Sequence, residues 1–247
     1  MDIAYETKIE NSRPDLVLPI REGQPARWTF YEEDSPSTAE KAYWLIRERI
    51  ITHAFPPGSA IKDTDLSKTT GFGRTPIREA LKRLEVEQLV VSRHRKGTFV
   101  NEIRLADIKS QYEMRRQLLT LAVALASRYD NKLLHRLDKK INDLAARIDD
   151  LALEEIILQV SEFNLAFARA GSNPYLCRTL QQYCGYATRT RYLLRATLRS
   201  EDFQLGDYKE ILGLAMDGNR EESSRLMALH VDAVHLRTVD RFLEAFI

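Results

Sequence analysis

The chain has 247 residues, 44% hydrophobic and 30% charged, a balance that fits an ordinary globular protein with room for two domains. No run approaches the roughly 18 apolar residues of a membrane span, and the first residues lack a basic-then-apolar leader, so a cytoplasmic protein with no membrane partner is expected. The net charge of +1 conceals a division: residues 1–37 carry 4 basic and 8 acidic groups, 38–101 carry 12 and 7, and 102–247 carry 21 of each.

Residues 1–37 contain Pro14, Pro19, Pro25 and Pro36 without any sustained period and read as an extended arm, whose apolar patch at 16–20 could dock on the body. Ser37 or Thr38 then caps a helix that runs to about His53, with Ala42, Leu45, Ile46, Arg49 and Ile50 at helical spacing. Phe55-Pro56-Pro57-Gly58 breaks it and turns the chain toward a short segment around Ile61. A brief helix, Asp65-Leu66-Ser67-Lys68-Thr69-Thr70, is stopped by Gly71. In the next helix Ile77, Ala80, Leu81 and Leu84 form one buried face, while Arg74, Arg78 and Lys82 make a cationic front and Pro76 sits in the first turn. Helix, tight turn and helix together can offer the second N-terminus to a DNA major groove. Leu89 to Val100 gives two β-prone runs around a basic turn, a hairpin wing with a cationic tip.

After a linker at 103–107 the pattern is helical throughout, with candidate helices at 106–128, 131–149, 153–170, 174–198, 205–217 and 219–245. Cys177 and Cys184 are seven residues apart on one of them, too far for a disulfide at about 1.5 Å of rise per residue. Between Tyr183 and Tyr192 aromatics alternate with arginines, but Tyr183, Ala187, Thr190 and Leu194 share a stripe, which favours a core helix over a second nucleic-acid surface. His230 and His235 are five apart and do not share a face as a metal pair would. No C-x-x-C or H-E-x-x-H spacing occurs, and no Ser, Cys or paired carboxylate stands in an activating context, so nothing argues for an enzyme.

Arg74-Thr75-Pro76-Ile77-Arg78-Glu79-Ala80-Leu81, Leu84, Leu89-Val90 and Gly97-Thr98-Phe99-Val100 resemble the winged helix-turn-helix of GntR-family bacterial transcription regulators over roughly 39–101. The resemblance implies that Arg74, Thr75 and Arg78 reach DNA from a recognition helix, with the tip around His94 and Gly97 in the minor groove. Lys82, Arg93, Arg95 and Lys96 complete the candidate interface. Two positions depart from the family: Gly73 replaces the usual Ser or Thr cap, at a cost of a few tenths of a kcal/mol, and Gln88 stands where glycine is preferred at the helix end.

The second half resembles the FCD domain of the FadR-like subgroup through Glu113-Met114-Arg115-Arg116, Phe163-Asn164, Gly171-Ser172-Asn173-Pro174, Glu210-Ile211-Leu212 and Met227-Ala228-Leu229-His230. Many members bind a divalent metal there through one aspartate and three histidines. Here the aspartate position falls on Val160, the first two histidines on Asn164 and Tyr208, and only His230 remains, so no tightly bound metal is expected. Asn164, Tyr208 and His230, with Arg115 and Arg189, are the candidate effector residues, and Arg195 is a further nearby cation.

The expected protein is mainly α: an extended arm (1–37), a winged helix-turn-helix (38–101) and an all-α bundle (106–247) of six or seven helices for effector binding and dimerisation. It would bind a palindromic double-stranded operator as a homodimer, as a repressor controlled by a small organic acid without any cofactor. The alternative is a ligand-independent dimeric DNA-binding protein whose bundle serves only dimerisation.

Overall fold

A computed structural model describes residues 37–128 and 132–246, so the expected arm lies, Ser37 apart, outside the described residues. In chain order the N-terminal unit comprises α1 (Thr38–Ile51), β1 (Ala60–Ile61), α2 (Asp63–Thr70), α3 (Arg74–Val86), β2 (Val90–Arg93) and β3 (Gly97–Val100). Ser37 opens α1 with a reciprocal cap: its hydroxyl accepts from the Glu40 amide at 3.2 Å, and the Glu40 carboxylate accepts from the Ser37 amide at 3.3 Å. Gly71 ends α2 in the left-handed region, φ 73°, which turns the chain sharply into α3. The strands form an antiparallel sheet in the order β1-β3-β2, with Val90 opposite Val100 and Arg93 opposite Gly97.

The core of this unit joins Ile46 and Ile50 of α1, Leu66 of α2, Ile77 and Leu84 of α3, and Leu89, Val90 and Val100 of the wing. The buried face of α1 is wider than its apolar spacing suggests. Tyr43, Trp44, Arg47 and Ile51 are buried, whereas the expected Leu45 and Arg49 are only half-buried. The reason is that α1 packs on two partners, α3 on one side and a helix of the bundle on the other.

The bundle consists of α4 (Leu105–Ala126), α5 (Lys132–Arg147), α6 (Leu153–Ala170), α7 (Pro174–Leu193), α8 (Leu205–Met216) and α9 (Arg220–Phe246), with short 3-10 turns at 148–150 and 200–203. These are the six helices expected from periodicity. The exception in length is α7, which stops at Leu193 rather than near 198, because the Leu194 carbonyl accepts from Thr197 and Leu198 in one loose turn. α4 is central and packs on α6, α7 and α9, around Leu119, Phe163, Phe167, Tyr208, Ile211 and Val231.

The two units meet along α7. Buried Arg47 of α1 donates to the Gln181 carbonyl at 3.1 Å and to the Glu87 carboxylate at 3.3 Å. Gly185 makes this approach possible, since a Cβ there would lie 2.2 Å from the Arg47 Nη2 atom. Tyr186 donates to the Glu87 carbonyl and joins the core of the N-terminal unit. Arg189 donates to the Asn101 carbonyl, and the Arg189 carbonyl accepts from His53 Nε2 at 3.0 Å.

Gln88 closes α3 with φ 57°, as the Leu89 amide donates back to the Leu84 carbonyl at 2.9 Å, so a side chain occupies the left-handed site that suits glycine. Gln88→Gly is therefore expected to stabilise the fold by about 1 kcal/mol, read from urea unfolding; no gain would mean that the Gln88 side chain earns its strained backbone. His53 gives a second prediction. Burial, reinforced by the Arg189 and Arg195 charges, pushes its imidazole down to about 3 from an ordinary 6.5. Between those values only the unfolded chain takes up the proton, so stability falls as pH is lowered from 6.5 toward 3. His53→Gln should flatten that part of the profile of melting temperature against pH, and an unchanged slope would mean that His53 charges in place.

Candidate nucleic-acid interface and effector cavity

All nine candidate DNA residues, Arg74, Thr75, Arg78, Lys82, Arg93, His94, Arg95, Lys96 and Gly97, are exposed. Arg74, Thr75, Arg78 and Lys82 lie along the outer face of α3, opposite buried Ile77, Ala80, Leu81 and Leu84. Gly73 precedes the helix with no side-chain cap, which leaves the first amides of α3 turned toward solvent beside Arg74. Arg78 donates through Nε to Asp63 at 2.9 Å, a contact that draws the Asp63 carboxyl below the usual range and steadies the exposed guanidinium against α2. As a surface pair it contributes little stability, about 0–1 kcal/mol, so its effect is chiefly orientation.

The wing is fixed to α3 by Glu85, whose carboxylate accepts from the Ser92 amide at 2.8 Å. Its tip is a β-turn in which the Lys96 amide donates to the Arg93 carbonyl at 3.0 Å, with Arg95 at φ 59° and Gly97 at φ 98°. The Arg93 guanidinium stacks on Phe99 at 4.8 Å. Arg83 also belongs to α3 but turns the other way, 3.7 Å over the Tyr43 ring. A protruding helix N-terminus beside a cationic hairpin is the geometry that reads a major groove and grips the adjacent backbone.

Inside the bundle, Asn164, Tyr208 and His230 come together as expected. The Tyr208 hydroxyl donates to Asn164 Oδ1 at 3.0 Å, the Asn164 amide donates to the Val160 carbonyl at 3.1 Å, and the Tyr208 and His230 rings meet edge-on at 4.5 Å. His230 Nδ1 donates to Asp207 at 2.9 Å, while Nε2 is buried and has no hydrogen-bond partner among the described residues. Burial keeps this imidazole below the ordinary histidine range, against the pull of Asp207. This donor set does not fit a divalent metal. Val160 offers no side-chain ligand, the Tyr208 phenol is held protonated by burial, and the Arg115 and Arg191 charges act on both rings.

Arg115 is buried beside this group, but Arg189 is not part of it: Arg189 faces the N-terminal unit, as described above, and Arg195 is exposed. The cation on the cavity side of α7 is Arg191, two residues on, which sequence spacing did not single out. Arg115 and Arg191 line one small cavity between α4, α7 and α9, together with Tyr112, Thr190 and His235. Arg191 is 5% exposed, and burial together with the neighbouring Arg115 pushes its guanidinium down to about 10. Nε and Nη2 of Arg115 are buried and make no hydrogen bond among the described residues.

Comparison with known proteins bears on both units. Residues 38–100 match the profile of bacterial regulatory proteins of the gntR family, and residues 110–233 match the FCD domain. The HTH-type transcriptional regulator YdhC of Bacillus subtilis is 25% identical over 80% of this chain and 90% of its own. A regulator from the TAR-I ttuE-ttuC' intergenic region of Agrobacterium vitis is 37% identical over 38% of this chain, an alignment spanning 56% of that relative. Among solved structures, Escherichia coli McbR/YncC superposes with a TM-score of 0.75 at 19% identity, covering 84% of this chain and all of that one.

Arg74→Ala and Arg78→Ala are each expected to weaken binding to a selected specific duplex by about 1–3 kcal/mol in fluorescence anisotropy titrations. Arg83→Ala, whose guanidinium lies on Tyr43, should bind as the parent does. The reverse ranking would mean that a different face of α3 reads the bases.

Proposed function

Because this chain belongs to the GntR family of bacterial regulatory proteins and carries an FCD domain, a DNA-binding transcriptional regulator and not an enzyme, we propose that it is a homodimeric repressor released from a palindromic operator by a small organic anion. Residues 38–101 are the DNA-binding unit in this reading, 106–247 the effector and dimerisation unit, and the cytoplasm is its compartment. Arg74, Thr75, Arg78 and Lys82 contact the major groove, and the wing from Arg93 to Gly97 contacts the adjacent minor groove.

The observation that carries the reading is that α7 serves both units within two turns. Gly185, Tyr186 and Arg189 touch the N-terminal unit, and Arg191 faces the cavity. A ligand drawn to Arg191 therefore acts on the helix on which the DNA-binding unit rests. An effector must favour one arrangement of that contact to regulate anything, and coupling of this kind is typically about 1–3 kcal/mol, or roughly 5–150-fold in affinity.

Dimerisation is supported by a stripe on α9, where Leu229, Leu236 and Leu243 recur every seven residues at 49%, 65% and 37% exposure. Met114 and Leu121 of the neighbouring α4 are also exposed at that spacing, 46% and 43%. A two-fold dimer matches a two-fold operator and joins two modest DNA contacts into one specific one.

The reading is tested by operator titration with and without candidate organic acids, where a ligand that stabilises the protein should lower operator affinity by roughly 5–150-fold. Stabilisation with no change in affinity would favour the ligand-independent reading. Leu236→Asp should shift the sedimentation profile from dimer to monomer and reduce affinity for the full operator more than for a half-site. A variant that remains dimeric would move the interface to another face.

A further inference from the structure

We propose a second ligand site, outside the bundle and beyond the effector reading: a cleft between the base of the wing, the 101–104 linker, α4 and α7 that binds a small zwitterion of the α-amino-acid class. The cleft has a volume of about 210 Å³, against about 30 Å³ for the cavity inside the bundle. A water takes about 30 Å³ in the liquid, so there is room for a molecule of several heavy atoms. Its walls are mostly polar, unlike an apolar packing defect, which stays dry.

The charges on those walls single out the ligand. Arg189, 5% exposed, donates to the Asn101 carbonyl, its side chain makes no other hydrogen bond among the described residues, and its Nε is buried without an acceptor there. A guanidinium carries five N–H donors, and a buried one so sparsely satisfied is costly. Asp107, in the first turn of α4, is near enough for its charge to act on Arg189, yet the two make no ion pair: cation and carboxylate line one space without meeting. Glu102 and Arg104 of the linker line the same space and are likewise unpaired among the described residues. The four charges sum to zero. A ligand with one charge of each sign satisfies Arg189 through a carboxylate and Asp107 with Glu102 through an ammonium, and leaves that balance intact. A simple anion would meet the two acids, and a simple cation the two arginines. The Tyr186 ring, whose hydroxyl is held by the Glu87 carbonyl, gives the cleft a fixed wall. A molecule in this place touches the end of the wing, α4 and α7 at once and so holds the DNA-binding unit to its seat on the bundle.

The test titrates the full chain with L-alanine, L-serine and L-glutamine, and with L-alaninamide, propionate and glycerol, by calorimetry at constant ionic strength. At least one of the amino acids should bind roughly tenfold more tightly than each analogue that lacks one or both charges, since a charge-assisted hydrogen bond is lost in each. Asp107→Asn, at an exposed position, should leave the melting temperature of the unliganded protein within about 2 °C. It should also weaken the amino acid roughly tenfold, whereas propionate, relieved of a like charge, should bind no more weakly than before. Binding of none of the three amino acids, equal affinity for propionate or L-alaninamide, or tight binding that survives Asp107→Asn would overturn the site. Each of those outcomes leaves the bundle effector and the DNA-binding reading as they stand.

Discussion

The arrangement of the whole chain depends on one buried contact, the Arg47 guanidinium lying against the bare backbone of Gly185. Arg47 starts from α1, reaches the carboxylate of Glu87 at the end of α3 and donates to a carbonyl of α7. It thus ties α1, α3 and the bundle at one point. A buried cation of this kind adds little net stability over an apolar residue, but it tolerates few alternative alignments, because displacement would strand its charge. The consequence is orientational: α3 is presented at a fixed attitude to the bundle that is expected to sense the ligand.

From that contact the chemistry divides along α7. Residues 189 and 191 are two apart, about 200° around the helix, so their side chains leave on nearly opposite sides. One guanidinium satisfies the last carbonyl of the wing at Asn101, and the other faces the cavity. The helix has no solvent-facing side over this stretch, and Cys184 to Tyr192 is almost wholly buried.

Much of the fold was legible because its helices obey a simple period. Ile77, Ala80, Leu81 and Leu84 marked the inner face of α3, and that left its cations on the outside. Breaks at Gly71, at Gly171-Ser172-Asn173-Pro174 and at Gly218 lie where helices end. What was not legible is what periodicity cannot encode. Arg47 and Arg191 were not singled out, since a helix packed on both sides has no polar face against which they would look misplaced. The absence of acids in α7 was the available signal, because solvated helices usually mix both signs. Arg189 was assigned to the effector group for the same reason: spacing separates faces but does not say which neighbour each face meets.

The cavity also differs in kind from a metal-centred one. A metal site takes its charge from an ion that must be supplied and can be chelated away, and its histidines titrate near neutral pH. Guanidinium keeps its proton at neutral pH even when burial draws it down to about 10, as at Arg191. If the effector is a small acid, as proposed, the charge of the cavity is constant and the variable becomes the ionisation of the acid itself. A cell whose interior acidifies would present less of the fully ionised form, so the same total amount of metabolite would register as a weaker signal.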